Sequence, residues 1–230
     1  MKVAIIADIH SNLEALEAVL KHIKLQRIKT ILVAGDIVGY GANPNEVLQR
    51  LREEKAVMIA GDHDKYVLTL EDLRWFNEFA QQALIYTNRV LTKENKTFLK
   101  SLKETYEVTI DGRKIFMVHG SPNDHLKEYV YARTPDTNLM AMLNKVKADI
   151  LIMGHTHQPF VRRITGRLVV NPGSVGQPRD FSSDSEYCIL DPQYMQATIQ
   201  RVEYDIDTAS KKIISAGLPR YLAERLFEGR

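Results

Sequence analysis

"KVAIIADIH", residues 2–10, is a run of five apolar residues that stops at an aspartate, with a histidine two positions further on. The run is of strand length and rich in β-branched side chains. Side chains two apart on an extended segment point to one side, so Asp8 and His10 would face the same way. The pattern recurs along the chain. "TILVAG" runs into Asp36, "AVMIAG" into Asp62 and His63, "KIFMV" into His119, and "DILIMG" into His155 and His157; "RLVVNPG" is a further run. Helix patterns separate the early runs. Ser11 with Glu14 reads as a capping box that opens a helix with Leu13, Leu16, Val19, Leu20 and Ile23 on one side, and residues 45–51 read as a second helix. Alternating strands and helices predict an α/β core with strands buried on both faces.

Residues 65–104 break this rhythm. Trp75, Phe76, Phe79, Ala80, Ala83, Leu84 and Thr87 space as an amphipathic helix, and Thr92 reads as the N-cap of another containing Phe98, Leu99 and Leu102. This helical insertion either packs on the sheet or forms a lid. Residues 136–146 predict one more helix. In the tail, "SEYCILD" and "MQATIQRVEY" around "PQ" predict an antiparallel hairpin, Asp205 caps a helix and Pro219 starts the last one. No composition break divides residues 1–230, so a single domain is expected.

Bulk properties narrow the function classes. The chain has 230 residues with 44% hydrophobic and 26% charged, enough for one large core, and its net charge of +2 does not favour nucleic acid or a membrane surface as partner. Cys188 is the one cysteine, so no intrachain disulfide forms. No signal peptide or spanning segment is visible, and a soluble cytoplasmic protein is expected.

The histidines point to chemistry. Of seven, five stand at strand ends, with only His22 and His125 elsewhere. In an open α/β sheet ligands bind beyond the carboxyl ends of strands, so these histidines and three aspartates would meet in one crevice. Buried there, each needs a partner. A pair of metal ions suffices, and imidazole with carboxylate suits Mn foremost, with Fe, Ni, Zn or Co as other choices.

The ordered set "DIH" at 8–10, "GD" at 35–36, "GDHD" at 61–64, "HG" at 119–120 and "GHTH" at 154–157 resembles that of the calcineurin-like metallophosphoesterase superfamily, and "NPGSVGQPR" at 171–179 resembles its prokaryotic YfcE-type branch. The resemblance implies a four-layer αββα sandwich, two mixed sheets flanked by helices, with a dinuclear centre. It implies that Asp8, His10 and His157 hold one metal, that Asp36 bridges, and that Asp62, His119 and His155 hold the second. His63 would be the catalytic histidine facing substrate. Two departures stand out. The family usually has Asn where this chain has Asp62. The Asp-Arg-Gly of the protein-phosphatase branch is replaced by Gly39, Tyr40 and Gly41, which argues against eukaryotic-type protein phosphatase activity.

The expected function is therefore hydrolysis of a phosphomonoester or phosphodiester of a small molecule by a metal-bridging hydroxide. His63 would protonate the leaving group or bind a phosphate oxygen, and Asp64 would orient His63 or bond its own backbone, as Asp in loops does. Arg179 is the candidate phosphate-binding side chain. A nuclease is the first alternative, but the clustered Arg162, Arg163 and Arg167 lack interleaved aromatics. A non-catalytic scaffold, like the superfamily's retromer subunit, is kept open by Asp62 alone. A plain nucleotide-binding domain would need an early glycine loop, which "ADIHSN" does not supply.

Overall fold

In a computed structural model describing residues 1–230, every apolar run becomes a strand. The first sheet has the order β10 (Gln196–Val202), β9 (Ser185–Asp191), β1 (Val3–Ile6), β2 (Thr30–Val33), β3 (Val57–Met58). β1, β2 and β3 are parallel, and the β9–β10 hairpin adds antiparallel to β1. The second sheet has the order β4 (Thr105–Ile110), β5 (Arg113–Val118), β6 (Ile150–Ile152), β8 (Arg167–Asn171), β7 (Phe160–Ile164), parallel in the middle and antiparallel at both edges. Both sheets are thus mixed.

Period-two alternation sorts the core into layers. Val3, Ile5 and Leu32 meet Ile115, Met117, Ile150 and Ile152 between the sheets. Their neighbours Ala4, Ile6, Ile31 and Val33 point the other way, onto α1 (Leu13–Leu25), α2 (Pro44–Glu53), α4 (Glu78–Val90), α7 (Ile206–Ser215) and α8 (Arg220–Glu228). On the far side of the second sheet, Phe116, Val118, Leu151 and Val169 pack against Leu139, Met142 and Leu143 of α6 (Asp136–Val146). The result is the αββα sandwich. No helix is long and apolar enough to cross a membrane.

Two local expectations are corrected. Asn12, not Ser11, caps α1: its side chain accepts from the Ala15 N–H at 3.1 Å, while Ser11 sits at φ 56° in a left-handed turn that positions its successor as the cap. Trp75 and Phe76 do not belong to α4, which starts after its cap Asn77; a 3-10 turn, Leu73–Trp75, precedes it. Asp62 opens α3 (Asp62–Thr69), where the first-turn carboxylates Asp62 and Asp64 suit the positive end of the helix dipole. In the 65–104 region α5 (Lys93–Ser101) buries Leu99, and α4 buries Ala80, Ala83 and Leu84, in the same core as α1 and α2.

Candidate metal centre

Strands β1, β2, β3, β5 and β6 end side by side, and the polar residues that follow them converge. All seven ligand candidates are buried. They form two groups that share one residue: Asp8, His10, Asp36 and His157 on one side, and Asp36, Asp62, His119 and His155 on the other, each with potential ligand atoms within 4.8 Å of one another. Asp36 stands between them, its Oδ2 lying 3.5 Å from His10 Nε2 and 3.5 Å from His119 Nε2.

The backbone holds these side chains in specific states. His10 Nδ1 donates to the Val38 carbonyl (3.2 Å), His119 Nδ1 to Ala34 (2.8 Å) and His157 Nδ1 to Gln177 (2.5 Å). Carbonyl oxygens only accept, so each Nδ1 carries the proton and each Nε2 faces the cluster. His10 Nε2 and His157 Nε2 therefore confront each other at 3.0 Å, lone pair to lone pair. That arrangement is repulsive unless a cation sits between them. On the other side Asp62 Oδ1 is buried without a hydrogen-bond partner, 3.3 Å from His119 Nε2 and 3.6 Å from His155 Nδ1. Both observations fit divalent metals bound by N and O donors.

Burial opposes isolated charge here. It pushes the Asp8 carboxyl up to about 7 and Asp36 well above the carboxylate range. It also pulls His10 and His157 well below the usual imidazole value, His63 to about 4 and His155 to about 3. For Asp62 burial is outweighed by the adjacent His119 and the nearby His63 and His155, which hold it below the usual range. For His119 burial is likewise outweighed, by Asp36 first, and the ring is held above its ordinary value. A cation between these groups satisfies carboxylates and neutral imidazoles together.

Surrounding loops fix the geometry. The 171–179 segment clamps the first group: Ser174 Oγ donates to the Asp8 carbonyl (2.7 Å), the Gly176 N–H donates to the same oxygen (3.0 Å), and Gln177 receives His157. Asn171 Nδ2 donates to the Gly154 carbonyl at 2.7 Å, bracing the loop that carries His155 and His157. Asp64 does not orient His63. Its carboxylate accepts from the N–H groups of Ile37, Val38 and Gly61, each at 3.0 Å, and so ties α3 to the loop after Asp36. Two glycines are required by close approach. A Cβ on Gly61 would lie 2.1 Å from Asp36 Oδ1, and one on Gly39 (φ 102°) would lie 2.5 Å from His63 Nδ1.

Above the cluster is a cleft of about 270 Å³ bordered by Asp36, Asp62, His63, His155, His157 and Arg179. His63 Nδ1 is buried there without a partner. Arg179 leans on Tyr40, its guanidinium 5.8 Å from the ring centroid, and donates to Gln177 Oε1 at 3.0 Å, with Nε unpartnered. Sequence reasoning missed the aromatic wall of the cleft: Tyr40, Trp75, Phe76 and Tyr129, with Asn77 beside them. Tyr40 stands four residues after Asp36, where a signal existed. Tyr129 stacks on His155 (centroids 3.9 Å apart) from an irregular segment with no periodicity to announce it.

A family model for the calcineurin-like phosphoesterase superfamily domain matches residues 1–195. An uncharacterized protein of Methanocaldococcus jannaschii is 42% identical, over 99% of this chain and 98% of its own. The crystal structure of a metallophosphoesterase from Sphaerobacter thermophilus is 31% identical, covers both chains fully and superposes with a TM-score of 0.85. Phosphodiesterase YfcE of Escherichia coli is 24% identical over 83% of this chain and 88% of its own.

Proposed function

The chain belongs to the calcineurin-like phosphoesterase superfamily, in its YfcE-like branch, and from that premise we propose that it is a dinuclear metal-dependent phosphodiesterase. The observation that carries this reading is the pair of four-residue clusters joined at Asp36, with the opposed His10 and His157 nitrogens in one and the unpartnered Asp62 oxygen in the other.

Asp8, His10, Asp36 and His157 would hold one ion, and Asp36, Asp62, His119 and His155 the other. Divalent ions bound there supply an acidified water at neutral pH and positive charge for the phosphoryl oxygens. Hydrolysis then adds the oxygen of water to phosphorus, breaks one P–O ester bond and returns a proton to the leaving oxygen. His63 borders the cleft, so its imidazole donates a hydrogen bond or a proton to the leaving or phosphoryl oxygen. Arg179 supplies the fixed positive charge that orients the phosphate.

A diester is favoured over a monoester on charge. Asp8, Asp36 and Asp62 contribute three carboxylates, so a net of only +1 would remain with two divalent ions bound. That attracts a dianionic monoester less strongly than an Asn at 62 would. The Escherichia coli relative YfcE is likewise a phosphodiesterase by name. The test is hydrolysis of matched mono- and diesters of p-nitrophenol after chelation, with Mn, Ni, Zn or Mg added back. Activity should vanish with chelator and return best with a transition metal. Full activity in excess chelator after exhaustive dialysis contradicts the proposal.

A further inference from the structure

A second concavity, about 580 Å³, opens beside the cleft between α3, α5 and the loop at Leu126. Lys65, Lys96 and Lys100 line it against a single carboxylate, Glu104. Glu104 is shared: it lies 3.9 Å from Lys65 and 3.4 Å from His125. Lys96 has only Asn88 Oδ1, at 3.3 Å, and Lys100 is exposed one helical turn further along α5. Residues four apart on a helix stand about 5–6 Å from each other on one face, so these two ammonium groups form a short cationic row.

Aromatic rings join this groove to the metal centre. Tyr66, on the groove wall, packs edge-on to Phe76 (5.2 Å), and Phe76 packs edge-on to His63 (5.0 Å). Trp75 and Tyr129 both border the cleft and are 53% and 44% exposed. Lys127 bridges the two concavities, its ammonium 5.4 Å from the Tyr66 ring and 5.1 Å from the Trp75 ring. Exposed aromatic rings beside lysines without carboxylate partners are the combination that holds a single nucleic-acid strand: rings stack on bases while ammonium groups follow phosphates.

We propose that the substrate is a single-stranded oligonucleotide, with its scissile phosphate at the Asp36 cluster, flanking bases on Trp75 and Tyr129, and further phosphates along Lys127, Lys96 and Lys100. This inference rests on the phosphodiesterase reading and names its substrate class. The required basic, aromatic track is invisible in the sequence because α3, α5 and the 126–127 loop contribute it jointly. The arginine cluster that stood in for it is engaged elsewhere: Arg162 binds Asp136 and the Ala132 carbonyl, Arg163 the Met195 carbonyl, and Arg167 Asn144.

Trp75 is the single tryptophan of the chain, so its emission reports directly on the wall between the concavities. The experiment mixes metal-loaded protein rapidly with oligothymidylate at several salt concentrations, and measures turnover of a small p-nitrophenyl diester on the same preparation. Quenching of Trp75 that weakens with salt is expected. In Lys96→Gln/Lys100→Gln the slope of log affinity against log salt should flatten by about 1.4, roughly 0.7 per lost phosphate contact. The Lys→Arg pair should restore it. The ratio of kcat/KM for the oligonucleotide to that for the small diester should fall in the Gln pair. Absent or salt-independent quenching, or a slope unchanged in the Gln pair, overturns the inference. If that failure comes with normal metal-dependent turnover of the small diester, the phosphodiesterase reading survives it. Oligonucleotide binding with no hydrolysis of any ester overturns both the substrate assignment and that reading.

Discussion

The two halves of the candidate metal centre carry the same potential donors, two carboxylates and two imidazoles each, yet they are framed differently. In the Asp8 half every ligand residue has a left-handed backbone: φ is 52° at Asp8, 49° at His10, 52° at Asp36 and 56° at His157. Such conformations cost about 1–2 kcal/mol each for residues with a Cβ, and they persist only where surrounding structure dictates them. Both histidines there are locked by carbonyls, and the Asp8 carboxylate accepts the His155 N–H at 3.2 and 3.1 Å. The other half is less constrained. Asp62 enters from the first turn of a helix, and His119, though held by the Ala34 carbonyl, enters from a strand end. His155 (φ 70°) has no carbonyl anchor, and its Nε2 is buried without a partner beneath Tyr129. The difference teaches that equal ligand sets need not be equal sites. The Asp8 half is preorganised by the backbone, whereas the Asp62 half depends on charge.

Four substitutions probe this contrast. Asp36→Ala removes the shared ligand and should release both metals, dropping activity to that of chelated protein; metal content with kcat checks it, and retention of one tightly held ion would show the halves to be independent. His63→Ala should leave metal content intact while turnover falls by about two to four decades, the usual size of an acid–base contribution. A diester with a good leaving group should recover part of that loss, and no recovery would assign His63 to phosphate binding. Asp62→Asn acts on the charge-dependent half alone. It should weaken the second metal by about tenfold or more and shift the kcat/KM ratio towards monoesters; unchanged affinity and ratio would mean that Asp62 does not meet a metal. Ser174→Ala removes a brace of the preorganised half. Its effect should be the smallest, about tenfold on first-site affinity, as for outer-shell partners of metal ligands. Metal titration of the variant separates that loss from any change at the second site.

Much of this centre was legible in the sequence. Buried strands must be apolar, so the abrupt appearance of Asp or His after each one marks both the strand end and the crevice. The edge strands were harder to read. β4 and β7 are half-buried, and "FVRRI" looks like a basic cluster until its arginines are seen bonded to neighbouring elements. α3 was obscured because Asp and His are weak helix formers, and only their first-turn position makes them suitable. The aromatic wall was hidden for a different reason: Tyr40, Trp75 and Tyr129 come from three separate segments and meet only in the folded chain.

The central claim is that two metals share Asp36. Titration with manganese, followed by electron paramagnetic resonance, addresses it without relying on turnover. The account predicts that two ions bind per chain, the first more tightly than the second, and that the isolated six-line spectrum of the first gives way to an exchange-coupled signal as the second is filled. Saturation at one ion per chain, or two ions that remain magnetically independent, would contradict it.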